Sequence, residues 1–301
     1  MAPISRRNAG KLLLAGSAGL LTSRPPLFAR EMINSVVRGV LIGAQSYSFR
    51  DRPLAACIEA YRTIGLGECE LQQNFIEPHD GRDPGAREKL RQWRLSVPLS
   101  RFHDIRQQFD NAGVLVYAYV YSFRKDMSDA EIERGFQMAQ ALGVKYMTSS
   151  ANVSVAPQVD HYAQKYKITV GFHGHDDTVD RDEFSTPETF ARAMRGASRY
   201  IAVNLDIGHF TAANEDAVDY IRKHHQRIVT LHIKDRKKNH GPNVPFGQGD
   251  TPIIAVLRLL RDEGWKIPAN LEYEYGDEIH GLDTITEVKK CFAYCRQALE
   301  T

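Results

Sequence analysis

The chain has 301 residues, 25% of them charged and 43% hydrophobic, with a formal net charge of +2. These are ordinary values for a folded chain with one large core, and they exclude a disordered, collagen-like, coiled-coil or small disulfide-scaffold protein. Through Ala29 there are four cations (Arg6, Arg7, Lys11 and Arg24) and no acid, so the remainder carries −2 and gives little reason to expect binding driven by phosphate charge.

In chain order, the first feature is an address. Arg6 and Arg7 precede a modest apolar run, Leu12 to Leu21, of signal-peptide length and too short to span a bilayer. Ser5-Arg6-Arg7 followed by Lys11 resembles the bacterial twin-arginine export signal. Residues 1–29 are therefore expected to be a signal peptide and 30–301 a single exported domain, released into the periplasm by cleavage after Ala29. No later apolar run reaches transmembrane length, so stable membrane insertion is not expected.

From residue 39 onward, β-rich runs alternate with amphipathic stretches. The expected strands are Val40–Tyr47, Glu68–Gln72, Val114–Val120, Lys145–Ser149, Ile168–His173, Ile201–Asp206, Ile228–Lys234 and Ala269–Glu274. Helical patterns include Pro53–Thr63, Asp129–Leu142, Pro187–Arg195, Glu215–Lys223, Pro252–Arg261 and a last one near Thr284–Leu299, with Pro187 and Pro252 marking helix starts. Eight strands each followed by a helix predict an α/β fold, a (β/α)8 TIM barrel in one domain. An open doubly wound sheet is disfavoured, because Gly43-Ala44-Gln45-Ser46 stands where G-x-G-x-x-G would follow the first strand.

The last four strands alternate with period 2. Val170 and Phe172 oppose Gly171 and His173, and Val203 and Leu205 oppose Asn204 and Asp206. Leu231 and Ile233 oppose His232 and Lys234, and Leu271 and Tyr273 oppose Asn270, Glu272 and Glu274. The apolar faces must meet the outer helices, so the polar faces point into the barrel, with metal-ligand types at the strand ends that form the active-site rim. Unpartnered buried acids and imidazoles are costly, and a divalent cation is the simplest partner for His173, Asp206, His232 and Glu272. This mixed set suits Mn²⁺, Zn²⁺, Co²⁺ or Fe²⁺ better than Ca²⁺, with Mg²⁺ kept as a candidate. The alternative is an internal salt-bridge network in which Lys234 neutralises the acids.

The motifs V-G-F-H-G-H-D, N-L-D-I-G-H, L-H-I-K-D-R, F-G-Q-G-D and L-E-Y-E, with the earlier I-G-A-Q-S-Y-S-F and L-G-E-C-E-L, resemble the sugar phosphate isomerase/epimerase family of xylose isomerase-like TIM barrels. The resemblance runs from about residue 39 to the C-terminus. It implies a divalent metal held at the positions of His173, Asp206, His232 and Glu272. Many members have a Glu where His173 stands; others, as here, end that strand in H-x-H. It also implies chemistry next to a carbonyl, in which a positioned base removes an α-proton and an enediolate leads to isomerisation, epimerisation or elimination. Candidate bases are His175, His209 and Glu70, with Lys234 and Arg236 placed to hold an anionic or hydroxyl-rich group. Gln248 and Asp250 of the Gly-rich loop, and Tyr47, are candidate contacts to a sugar. Export favours an unphosphorylated sugar as the small-molecule partner. The competing functions are a lyase on a 3-keto-glycoside, a non-catalytic periplasmic sugar-binding protein and an apurinic-type endonuclease. The last is disfavoured by charge and export. An oligomer is compatible with the sequence but not specified by it.

Four cysteines remain. Cys69 should face the helix layer and stay reduced. Cys57 on the first helix and Cys291 and Cys295 on the last are brought together by barrel closure, so an oxidising compartment would permit a bridge from Cys57; otherwise these three pack as small hydrophobes.

Overall fold

The computed structural model describes residues 31–78 and 85–301; the expected signal peptide lies outside the described residues. Eight parallel strands form the barrel wall: β1 (Val40–Gln45), β2 (Glu68–Gln72), β3 (Leu115–Val120), β4 (Tyr146–Ser150), β5 (Thr169–His173), β6 (Ile201–Asp206), β7 (Ile228–Ile233) and β8 (Ala269–Leu271). Each pairs with the next, and β8 pairs in parallel with β1, closing the ring. A short antiparallel strand, Val36–Val37, pairs with β1. The chain is thus a single-domain (β/α)8 barrel.

The strands sit within a few residues of their expected positions because buried, β-branched runs bounded by polar turns admit little else. Two ends differ. Strand β1 stops at Gln45, whose side chain accepts from the Tyr47 amide at 2.5 Å and turns Ser46–Phe49 into a 3-10 segment. Strand β8 stops at Leu271. The Glu272 amide still reaches the Ile233 carbonyl, but the Tyr273 amide turns to Ser48 Oγ, and the chain leaves the ladder from there.

Around the barrel lie α1 (Leu54–Ile64), α2 (Ala86–Ser96), α3 (Ser100–Ala112), α4 (Asp129–Ala141), α5 (Ala156–Tyr166), α6 (Pro187–Met194), α7 (Ile207–Ala212), α8 (Ala217–His224), α9 (Ile253–Glu263) and α10 (Thr284–Glu300). Ser128, Asp216 and Asp283 cap α4, α8 and α10 with side-chain oxygens on free amides of the first turn. The expected helix at 215–223 is α8, displaced by two residues at its start and preceded by the short α7. Helix α2 gives little apolar signal because one of its three buried positions is Arg94. That guanidinium is 1% exposed, donates to Glu77 at 2.6 Å and to Glu131 at 3.0 Å, and lies over the Tyr121 ring at 4.7 Å.

Cys57, Cys69, Cys291 and Cys295 are all free and buried. Helices α1 and α10 do pack together, but the bridge from Cys57 is not formed; burial pushes that thiol well above its ordinary pKa. Among the described residues, no helix is long and apolar enough to cross a membrane.

Candidate metal centre and active site

At the C-terminal rim, β5 to β8 bring His173, Asp206, His232 and Glu272 together. Each offers one ligand atom, all within 4.8 Å of one another, and all four residues are buried. His232 Nδ1 lies 3.0 Å from Glu272 Oε2 and 3.8 Å from Asp206 Oδ2. These are the spacings of donors that share one ion at about 2.0–2.2 Å.

Local structure orients each donor. Asp206 ends β6 and caps α7: Oδ1 accepts from the His209 amide at 2.7 Å, while Oδ2 accepts no hydrogen bond. His173 Nδ1 meets Asn204 Oδ1 at 3.0 Å, which leaves Nε2 for the site. His232 Nε2 lies 3.0 Å from Glu70 Oε1, so Nδ1 is the nitrogen turned to the other ligands. A carboxylate behind a histidine in this way fixes its tautomer and orientation.

Lys234 also enters the cluster. Its Nζ lies 3.1 Å from Asp206 Oδ2 and 2.8 Å from Glu272 Oε2, and it donates to Glu274. Gly208 permits this approach, since a Cβ there would stand 2.2 Å from Lys234 Cγ. The salt-bridge network expected as an alternative is therefore present, but it does not balance the charge. The carboxylates of Asp206, Glu272 and Glu274 converge on one ammonium, and a fourth, Glu70, lies against His232. A buried surplus of acid next to two imidazoles suits a divalent cation.

The fields follow from this packing. Burial opposes charge on His232, but Glu70 and Glu272 outweigh it and raise its pKa well above the ordinary value. His173 is pushed the other way, by burial and by His232 and His175. Burial likewise opposes ionisation of Glu272, yet Lys234 and His232 hold it well below the usual carboxylate range.

A cavity of about 300 Å³ opens above the cluster, lined by His175, His209, Lys234, Glu274 and Tyr47 together with Gln45, Gln72, Ser149 and Ser150. His175 is half-buried, its Nδ1 2.7 Å from Glu183. His209 Nε2 faces Lys234 Nζ at 3.1 Å, and its Nδ1 faces Arg236 at 2.6 Å and Asp176 at 3.3 Å. Burial and the Lys234 charge lower its pKa. Arg50 stacks over the Tyr47 ring and pairs with Asp277 at 2.5 Å.

Three expected site residues lie elsewhere. Arg236 stands behind His209 in a two-pronged pair with Asp176, at 2.8 and 3.2 Å, and does not line the cavity. The Gly-rich loop does not turn its amides toward the cavity, because those of Gly247, Gly249 and Thr251 donate to the Asp235 carboxylate. Gln248 lines a separate groove beside α10, and Asp250 accepts from the Lys238 amide. Asn204, Glu274 and Asp176 were not singled out from the sequence. The first two share the inward register of the ligands, which is a legible signal; Asp176 sits in a loop whose partners are set only by folding.

Residues 103–295 match the family described as the xylose isomerase-like TIM barrel. The chain belongs to that family. Solved structures share the fold. A sugar phosphate isomerase/epimerase from Parabacteroides distasonis is 18% identical, with a TM-score of 0.62 over 89% of this chain and 97% of its own. The IolI protein with a zinc atom is 15% identical, with a TM-score of 0.66 over 87% and 98%. A xylose isomerase domain protein from Alicyclobacillus acidocaldarius is 16% identical, with a TM-score of 0.63 over 87% and 100%. No curated protein matches in sequence.

Proposed function

We propose that this chain is a divalent-metal-dependent isomerase or epimerase that enolises a neutral sugar or keto-sugar. The observation that carries the reading is the surplus of buried carboxylate around His173, Asp206, His232 and Glu272, directly beneath a cavity lined by imidazoles and an ammonium. When bound, the metal would supply Lewis-acid polarisation of a carbonyl or hydroxyl pair. The chain's own groups do the rest. His175 and His209 face the cavity as candidates to take and return the α-proton, each held by a carboxylate, Glu183 or Asp176. Lys234 lines the cavity floor and shares its three donors among Asp206, Glu272 and Glu274, holding those carboxylates in place. Gln45, Gln72, Ser149, Ser150 and Tyr47 offer the neutral hydrogen-bonding groups that sugar hydroxyls need.

The neutral substrate follows from charge. Among the described residues, the cations in and around the site are already paired: Lys234 with Asp206, Glu272 and Glu274, Arg50 with Asp277, and Arg236 with Asp176. A phosphate would enter a field dominated by carboxylates.

Elimination from a keto-glycoside is the second reading. It is favoured by an adjoining cavity of about 470 Å³ that shares His175 and Ser150 with the first and gives room for an aglycone. One experiment addresses both. Metal-loaded protein in D₂O should place deuterium α to the carbonyl of a neutral keto-sugar, and with a 3-keto-glycoside it would also release the aglycone if elimination operates. No exchange and no turnover across free and glycosylated keto-sugars would leave the sugar-binding reading in its place.

We further propose that residues 1–29 direct twin-arginine export to the periplasm, on the strength of Ser5-Arg6-Arg7 before a weak apolar run. Replacing Arg6 and Arg7 by Lys should retain the protein in the cytoplasm of fractionated cells; undiminished export of that variant would refute the assignment.

A further inference from the structure

Beneath the site, a second inward carboxyl on β2 has no role in the reading above. Glu68 is fully buried, and neither of its oxygens finds a hydrogen-bond donor among the described residues; the same is true of Asn270 Oδ1. Both oxygens abut Gly43, where a Cβ would stand 1.6 Å from Glu68 Oε2 and 2.6 Å from Asn270 Oδ1.

The hydrogen-bond pattern constrains where the protons are. The Asn270 amide donates to Glu70 Oε2 at 3.0 Å and to Thr230 Oγ1 at 2.9 Å. The Thr230 hydroxyl is itself committed to the Pro268 carbonyl, so it accepts from Asn270. Both amide hydrogens are then used, and Oδ1 is left facing Glu68. Two acceptor oxygens facing each other in a dry interior repel unless one carries a proton. Turning the Asn270 amide over only moves the conflict to Glu70. That group already receives Thr148 Oγ1 at 2.6 Å and Asn204 Nδ2 at 3.2 Å, and lies 3.0 Å from His232 Nε2. So the proton that relieves the conflict sits on Glu68.

We propose that Glu68 is held as a neutral carboxylic acid that donates to Asn270 Oδ1, and that it is a positioning residue. By fixing the Asn270 amide it holds Glu70 against His232 Nε2, and hence His232 Nδ1 aimed at the metal ligands. Burial and the neighbouring Glu70 push Glu68 in this direction, well above the usual carboxylate range, and outweigh the downward pulls of the Asn270 amide and His232. The positioning role rests on the metal-site reading; the protonation state does not.

The two halves are tested separately. The infrared difference spectrum of wild type minus Glu68→Gln at neutral pH should contain the C=O stretch of a protonated carboxyl. Its absence would mean an ionised Glu68, solvated by trapped water, and would overturn the proposal whatever the site binds. For positioning, zinc alone is titrated into both that variant and Glu68→Leu. The amide of Glu68→Gln supplies the same donor, so its zinc affinity should stay within about twofold of wild type, whereas Glu68→Leu should lose about tenfold, the lower end of what ligand-supporting partners contribute. Equal affinities for wild type and Glu68→Leu, or a Glu68→Gln chain that fails to fold or loses as much as Glu68→Leu, would refute the role. Failure of all three proteins to bind zinc would instead refute the metal site.

Discussion

Asp206→Asn is expected to lose bound metal and about a thousandfold or more of turnover, since a catalytic metal contributes several kcal/mol to the transition state. Asp206 has two separate duties, which this substitution separates. Its Oδ1 caps α7 through the His209 amide, and its Oδ2 faces His232 and Lys234. The asparagine oxygen can keep the cap, so stability should hold while the anionic ligand is gone. Asp206→Ala removes both and should add about 1 kcal/mol of destabilisation from the lost cap. Metal content by elemental analysis, beside thermal unfolding, checks the pair. A folded His232→Ala/Glu272→Ala protein that still carries stoichiometric metal would rule this ligand set out.

Arg94→Leu should give the largest loss of stability, about 3–5 kcal/mol, because it leaves Glu77 and Glu131 buried without their shared cation. For a chain of this size that is a fall of roughly 10 °C in Tm. Removing a buried partner costs more than the pair contributes, and Arg87, at 2.6 Å from Glu131, offsets part of the loss at that carboxylate. The deficit depends on pH. Burial opposes ionisation of Glu131, but Arg87 and Arg94 outweigh it and hold its pKa below the usual range. A depressed carboxylate contributes fully above its unfolded value and loses that contribution as the pH falls toward its folded one. The difference in Tm between wild type and variant should therefore be largest near neutrality and shrink below about pH 4.3, the unfolded Glu value. A pH-independent difference, or one under about 2 °C, would show that the cluster contributes little.

Much of this protein is readable locally. A strand displays its two faces at period 2, so Val170 and Phe172 against Gly171 and His173, or Leu231 and Ile233 against His232 and Lys234, already state which side chains point inward. Eight such runs between helical stretches define a closed barrel, and inward donors on four adjacent strands must converge because closure leaves them nowhere else to go. The clustering of His173, Asp206, His232 and Glu272, the barrel and the place of Lys234 among the acids were legible for that reason. The loops were not. Asp235 claims the amides of Gly247, Gly249 and Thr251, and Asp176 crosses to Arg236 and His209; these pairings join residues 12 to 60 positions apart with no periodicity between them. Helix α2 was obscured for a related reason, since Arg94 reads as a surface residue until Glu77 and Glu131 are placed around it. Glu68 marks the boundary most sharply. Its inward direction follows from the alternation along β2, but its proton depends on Asn270, 202 positions away, and on which hydrogen bonds that amide has left to give. Backbone periodicity determines direction, whereas charge state and loop contacts depend on partners that only the closed barrel brings within reach.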